Sequence, residues 1–547
     1  MILEQFEQQA ARALRAWAAV LDWDAAARVV LAQPPGHVQA DISLPWPMAA
    51  AKALKRKPLD VAAEVRALVA TVPGVESVEP SPPGFLNVRF SAEALTRNLA
   101  EVAAHPERHG AGDAPTKRSI MLEFVSANPT GPVHLASGRA ATLGDSLARI
   151  LRRRGHKVST ENYVNDVGRQ VDLLGLSVKA RYDELHGRPA SMPEDGYQGG
   201  YIRDVAAAVP AEASSWGPAE FGRFGVEKML ASHQEDMRSF GLEFDRWFRE
   251  SELHGRKALD KALEKLRGLG KVYDKDGAVW LGTSGEGSDD DKDRVLVRSD
   301  GRPTYFLADI AYHQDKLERG FDYLVDIWGA DHHGYVPRMK EGVAALGVPK
   351  DTFHAIIHQL VHLFRGKEAV KMSKRAGEFI TLRDLVAEVG LDACRFFFAM
   401  RTPNSHLNFD IELAKKKTQE NPVYYVQYVH ARIASIFREA AKLGLSAPAE
   451  WTPDLERLRD PSERAIMMKL AWFPETLALC EKELSPHPLP IYLMELAGLF
   501  HPFYERCRVV DKAEPALTAA RLELCAGVRA VIADSLGLLG VSAPEAM

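Results

Sequence analysis

The sequence predicts an α/β protein in which a parallel sheet with crossover helices stands between an α+β unit and an all-helical bundle. Three observations carry this. Residues 119–163 read as an apolar strand (119–125), a helical period (133–151) and a second strand (157–163). That order closes only as a right-handed crossover on a parallel sheet. Strand signals stop at Ile411 and helical periods take over, which marks a second fold class within the chain. Third, 547 residues with 46% hydrophobic and 26% charged content make a soluble globular chain large enough for several domains. The expected divisions are 1–112, 113–410 with an insertion around 175–300, and 411–547.

Bulk properties narrow the class further. A formal charge of −5 argues against a polybasic coat, although a local basic face could still meet nucleic acid. Cys394, Cys480, Cys507 and Cys525 are too scattered for a disulfide framework or a zinc knuckle, so a reducing cytoplasm is expected. The start, Met-Ile-Leu-Glu-Gln-Phe-Glu, does not read as a secretory signal. No apolar run approaches the ~18 residues that span a bilayer, so no membrane partner is expected.

In the first unit the pattern gives helices at 2–21, 48–54 and 61–70, an alternating strand at 84–90 and a Pro- and Gly-rich linker at 105–116. Lys55, Arg56 and Lys57 end the second helix. Taken alone they are a solvated helix end favoured by the helix dipole.

The stretch that organises the rest runs Leu-Glu-Phe-Val-Ser-Ala-Asn-Pro-Thr-Gly-Pro-Val-His-Leu-Ala-Ser-Gly-Arg, residues 122–139. Strand, tight turn and helix start is how open α/β sheets offer backbone N–H groups to a phosphate. Pro132 suits a first helical residue, which places His134 in the first turn at the positive end of the dipole. This wording, with Ser126, Asn128-Pro129-Thr130-Gly131-Pro132 and His134, resembles the first signature of class I aminoacyl-tRNA synthetases in its arginyl form. Lys371-Met372-Ser373-Lys374-Arg375 resembles the lysine loop that closes over ATP phosphates in the same class. The first signature departs from the family's His, apolar, Gly, His: here it reads His134, Leu135, Ala136, Ser137. Ala136 adds a methyl where adenine approaches, and Ser137 donates a hydrogen bond but cannot become a cation.

The resemblance implies a Rossmann-type catalytic domain, an N-terminal domain touching tRNA through Lys55 and Arg56, and a helical anticodon-binding domain. It assigns catalysis to His134, Ser137, Lys371, Ser373 and Lys374. ATP falls to Asn128, Gly131, His134, Gly329, Asp331, His332 and Met372. Arginine falls to Asn128, Glu161, Asn165, Asp166, Tyr305 and Asp309.

The residues themselves support part of this. Glu161, Asn162, Asn165 and Asp166 cluster at the carboxyl end of a strand, where ligands sit in such sheets, though a turn or a helix cap also favours Asn and Asp. Tyr305 and Asp309 are four apart on one helical face and should meet there; a carboxylate can hold a guanidinium in two parallel bonds. Residues 323–328 are an apolar strand ending at Gly329, where a ligand can approach the backbone. The acidic run 289–291 reads as a solvated loop. His354, His358 and His362 recur every fourth residue and suggest zinc, but on a single strand they would stand roughly 13 Å apart, too far to share an ion.

In the bundle, Val423, Val426, Ile433 and Ile436 form a core stripe, while Tyr424, Gln427, Tyr428 and Arg432 cover another face. Aromatics with a guanidinium suit unpaired bases. The resemblance adds Met547 at the tail as a tRNA contact. It implies joining of L-arginine to tRNA(Arg) with ATP and Mg²⁺, no protein-held metal, and action as a monomer. Two rivals use the same residues: a tRNA-binding paralogue that has lost ligation, and a class I ligase for glutamine, glutamate or cysteine. Asp309 and the Asn-Pro-Thr-Gly-Pro wording disfavour the latter.

Overall fold

The computed structural model describes residues 1–19, 29–284, 290–370 and 380–547. Five strands form the central sheet: β1 (Ser119–Glu123), β2 (Lys157–Val164), β3 (Arg246–Arg249), β4 (Tyr323–Gly329) and β5 (Phe353–His358). Their order is β5-β4-β1-β2-β3, and every neighbouring pair is parallel. The chain therefore runs from β1 to one side, returns, and builds the other side. The strand order reverses between β1 and β4, which opens a crevice at their carboxyl ends.

Helix α1 (Leu135–Arg153) crosses from β1 to β2 and is buried on nearly every face, with Ala141, Leu147 and Ile150 fully enclosed. Each such leucine contributes roughly 1.5–3 kcal/mol by leaving water. The helix begins at Leu135 rather than at 133, because His134 caps it. Pro132 consequently lies ahead of the helix, not at its first residue.

Helix α2 (Tyr305–Glu318) packs on the sheet with a charged inner face that the strands explain. Glu161, Glu123 and Asp326 stand side by side in register across β2, β1 and β4. Neighbouring strands lie only about 4.8 Å apart, so three like charges in a row need compensation. Helix α2 and the residue that caps it supply it. Lys316, fully buried, donates to Glu123 at 2.6 Å and to Asp326 at 2.8 Å. His313 bonds Asp326 at 2.9 Å, and Arg319 takes Glu161 in two bonds of 2.7 and 2.9 Å. Burial would strip the Lys316 proton, but Asp326 and Glu123 outweigh it and raise the pKa above the usual lysine range.

Elsewhere the first expected helix runs Ile2–Ala19, up to the end of the first described stretch, and the next two are longer than expected, Trp46–Leu54 and Pro58–Ala70. The last starts early because Pro58 occupies a first helical position. Strands Ile42–Leu44, Phe85–Phe90 and Val75–Ser81 make an antiparallel sheet beside them. Beside its helices the insertion holds an antiparallel sheet of Val272–Lys275, Ala278–Leu281 and Arg294–Val297. Asp290 there pairs with Arg294, so part of the acidic run is a structural contact rather than a solvated loop. Residues after 411 are helical, beginning with α3 (Pro422–Lys442) after a short Ile411–Lys415 turn of helix. Ion pairs tie this region to the end of α1: Arg153 to Asp534 at 2.8 Å and Arg154 to Glu481 at 2.7 Å. Among the described residues no helix is long and apolar enough to cross a membrane.

Candidate active site

The crevice between β1 and β4 is shaped by strain on one wall. After β1, Val125 and Ser126 both have left-handed backbones, φ +72° and +41°, closed by a bond from Ser126 N to Phe124 O at 3.0 Å. A β-branched residue there costs on the order of 1–3 kcal/mol and persists only where surroundings hold it. Ser126 does the holding: its hydroxyl donates to Glu123 at 2.8 Å and accepts from Tyr163 N at 3.1 Å.

The loop that follows is gripped from the insertion. Tyr201 donates its phenol proton to the Thr130 carbonyl at 2.9 Å, and His233 Nε2 donates to the Gly131 carbonyl at 2.6 Å. A side chain at residue 131 would sit 3.1 Å from the Tyr201 oxygen, so glycine lets the phenol close in. His134 then caps α1, its Nδ1 accepting from Ala136 N at 3.2 Å. With Nδ1 accepting, the ring proton sits on Nε2, a donor at the positive end of the helix. Ser137 is buried in the first turn and Asn128 is exposed in the loop. Thr381 bridges His134, and Leu382 N donates to the Val133 carbonyl at 3.1 Å. Lys371, Met372, Ser373 and Lys374 lie outside the described residues.

On the other wall β4 ends at Gly329, where a side chain would sit 2.6 Å from Asp331 Oδ1. Asp331 and His332 are exposed and 3.5 Å apart.

Deeper in, the acids divide. Asp309 is half-buried on α2, and the phenol of Tyr335 donates to it. The expected partner, Tyr305, is instead 74% exposed: it opens the helix, where its side chain points outward, and the chain brings Tyr335 to Asp309 from beyond β4. Burial raises the Asp309 pKa. Glu250, the first residue after β3, is buried and pushed up to about 7 by burial, with Asp309 and Asp166 adding repulsion. Tyr163 lies between them and its own ionisation is pushed up by burial and by both acids. No ion pair reaches Asp309 or Glu250 among the described residues, in contrast to the row behind α2.

Three expected arginine contacts are engaged within the protein. Glu161 is fully enclosed and saturated by Arg319 and by the Tyr312 hydroxyl at 2.7 Å, so it is a structural acid. Asp166 caps the helix Glu250–Gly255, accepting from Ser251 N at 2.9 Å and its hydroxyl at 2.7 Å. Asn165 joins the same turn, its amide directed to the Val167 carbonyl at 2.8 Å and toward Glu250 at 3.3 Å. Both steady the segment that presents Glu250. Glu250 itself was missed because a four-residue strand with two arginines gives little strand signal. Its place directly after such a strand was the clue. His354 and His358 lie on β5 whereas His362 lies on Val361–Arg365, a strand of a different sheet, so the three do not share a strand as the spacing suggested.

Family profiles match three regions: an arginyl-tRNA synthetase N-terminal domain at residues 4–90, a class I (R) tRNA synthetase catalytic domain at 99–195, and a DALR anticodon binding domain at 426–547. An arginine–tRNA ligase of Elusimicrobium minutum is 52% identical over 524 residues, 95% of each chain. The chain belongs to the arginyl-tRNA synthetases. Another family member, from Desulforudis audaxviator, is 46% identical over 86% of this chain and 85% of its own. The Thermus thermophilus arginyl-tRNA synthetase, 23% identical with a TM-score of 0.79 over all of both chains, shares the fold. Class I architecture makes ATP the nucleotide substrate.

The family's second working surface, the helical C-terminal region, is built on α3. Val423, Val426, Ile433 and Ile436 are buried as the stripe required. On the outer face Tyr424 stacks with Tyr428 at 6.3 Å, and Tyr428 with His501 at 6.1 Å. The Arg432 guanidinium lies 5.0 Å from the Tyr428 ring and 5.3 Å from Tyr504. His501 and Tyr504 come from a distant helix, Pro488–Arg506, and no local pattern linked them to α3. Gln427 does not belong to this face: it is buried and donates to Asp392 at 2.8 Å and the Ser542 carbonyl at 2.9 Å, fastening the tail. Met547 is 52% exposed and lines a groove with Tyr424 and Lys415, Lys416 and Lys417. Lys55 and Arg56 are exposed on the N-terminal unit, Arg56 paired with Glu64 at 3.1 Å.

Proposed function

We propose that the chain activates L-arginine with ATP and transfers it to the 3′-terminal adenosine of tRNA(Arg), acting as a monomer in the cytoplasm. The observation that carries the choice of amino acid is the pair Asp309 and Glu250, one half-buried and one buried carboxyl beside the nucleotide crevice that no ion pair reaches among the described residues. A guanidinium offers five donors in a plane and would take both acids in charge-assisted bonds. A site so built rejects neutral analogues, because its own groups are left unpaired.

In the first step the arginine carboxylate attacks the α-phosphorus and pyrophosphate leaves. In the second a terminal ribose hydroxyl attacks the acyl carbonyl and AMP leaves. The protein supplies no nucleophile, so its work is alignment and charge stabilisation. His134 Nε2–H and the α1 N-terminus meet the phosphates, with Asn128, Gly131 and Ser137 shaping the approach. The resemblance gives Lys371, Met372, Ser373 and Lys374 the remaining phosphate contacts. Gly329, Asp331 and His332 take the adenosine. Mg²⁺ would neutralise the ATP phosphates, as the resemblance implies. Tyr424, Tyr428 and Arg432, with Met547 nearby, receive unpaired anticodon bases, and Lys55 and Arg56 meet the tRNA backbone.

Charging assays with each of the twenty amino acids and total tRNA test the reading. Arginine alone should be esterified. Esterification of glutamine, glutamate or cysteine, or none at all, would overturn it.

A further inference from the structure

We propose that His358 reads the base of the nucleotide, its Nδ1 accepting a hydrogen bond from the exocyclic amine of adenine. The inference rests on the ATP reading above and follows from direction. Phosphates belong at the α1 N-terminus, after β1. The ribose belongs at a carboxylate after the neighbouring strand, here Asp331 after β4. Continuing the same way across the sheet, the base falls over the next strand end, one strand spacing of about 4.8 Å further. That end is His358, the last residue of β5 and the register partner of Gly329.

His358 is 7% exposed, and its Nδ1 meets no hydrogen-bond partner. A buried polar atom left alone costs roughly 1–3 kcal/mol, a cost that a bound ligand can remove. The other buried histidines behave differently: His109, His156, His233, His313 and His430 each make a ring hydrogen bond within the protein. The charged and titratable groups bearing on His358 are Arg139, Asp331 and His134, the last two on the walls of the crevice. Burial, then the Arg139 charge, pushes its pKa down to about 4, so the ring is neutral at pH 7 and one nitrogen carries a lone pair. Arg139, fully buried, holds the next residue by donating to the Gln359 carbonyl at 2.8 Å and to the Thr402 carbonyl at 2.9 Å. Arg139 thus holds the backbone beside the imidazole in place before the nucleotide arrives.

Arginine-dependent pyrophosphate exchange, with tRNA present, should be measured with ATP and with inosine triphosphate, whose base carries an oxygen in place of the amine. The wild type should prefer ATP by at least ~30-fold in kcat/KM. His358→Ala should lower kcat/KM for ATP about 10–100-fold and leave inosine triphosphate within about 2-fold, collapsing the preference. His358→Asn, which restores an acceptor oxygen, should recover part of it, and thermal melts of both variants report folding. Equal losses on both nucleotides in His358→Ala, or no recovery in His358→Asn, would overturn the assignment. Absence of exchange with either nucleotide in the wild type would overturn the ATP reading as well.

Discussion

Two sets of carboxylates gather near the carboxyl ends of the same strands and are treated in opposite ways. Glu161, Glu123 and Asp326 stand in a row, each answered by Arg319, Lys316 or His313 from α2 and its cap. Asp309, one turn toward the start of the same helix and half-buried, and Glu250, buried across from it, meet phenols and an amide, and among the described residues no ion pair reaches either. Burying a charge is tolerable when it is paired and costly when it is not. The row is therefore architecture. The second pair holds back a cost that a cationic substrate would remove.

The comparison breaks most visibly if the row loses its cation. Lys316→Met should leave two buried acids facing each other and cost about 3–5 kcal/mol, read as an earlier denaturant midpoint. A midpoint equal to wild type would mean the row is not what holds these strands. Next, Asp309→Asn should weaken arginine binding about 100-fold, roughly 2.7 kcal/mol, while ATP binding stays within a factor of two. Equal losses for both ligands would point to a distorted fold.

Glu250→Gln sharpens the contrast, because it should harm binding and help folding. Arginine affinity should drop about 10-fold. In the folded chain Glu250 keeps a proton up to about pH 7, whereas its ordinary value is 4.5. Between these values the unfolded state has already released that proton, so the residue costs stability progressively as pH rises through this window and in full above it. The variant should then be more stable than wild type at pH 8, on the order of 2 kcal/mol, with the two converging below pH 4.5. For the same reason wild-type arginine affinity should improve as pH climbs through 7, and the variant should lose that dependence. The smallest effect is expected outside the acids. Tyr201→Phe removes one bond of about 1 kcal/mol from the Thr130 carbonyl and should cost up to ~5-fold in kcat/KM for ATP with little change for arginine. A variant indistinguishable from wild type in both would remove the insertion from the account of the nucleotide loop.

Much of the frame was legible in the sequence because periodicity reports which face of an element meets the core. The strand, turn and helix around 119–153, the apolar strand ending at Gly329 and the α3 stripe were all readable that way. What could not be read depends on partners far apart in the chain. Glu161 looked like a ligand residue until Arg319, 158 residues on, closed over it. Tyr305 and Asp309 share a helical face, yet the phenol that reaches Asp309 is Tyr335, 26 residues away. Gln427 has the spacing of a surface residue and is taken instead by Asp392 and the tail at Ser542. Asp166 was ambiguous between ligand and cap, and Ser251 decides for the cap. Pattern identifies faces, whereas charge pairing across the fold decides which polar residues remain for a substrate.

The most direct measurement compares arginine with citrulline, which keeps the shape but not the charge, in the activation step of wild type and Asp309→Asn. If carboxyls without an internal cation form the substrate seat, wild type should favour arginine by at least ~10³ and Asp309→Asn should lose most of that margin through arginine alone. An unchanged arginine-to-citrulline ratio in the variant would contradict the account.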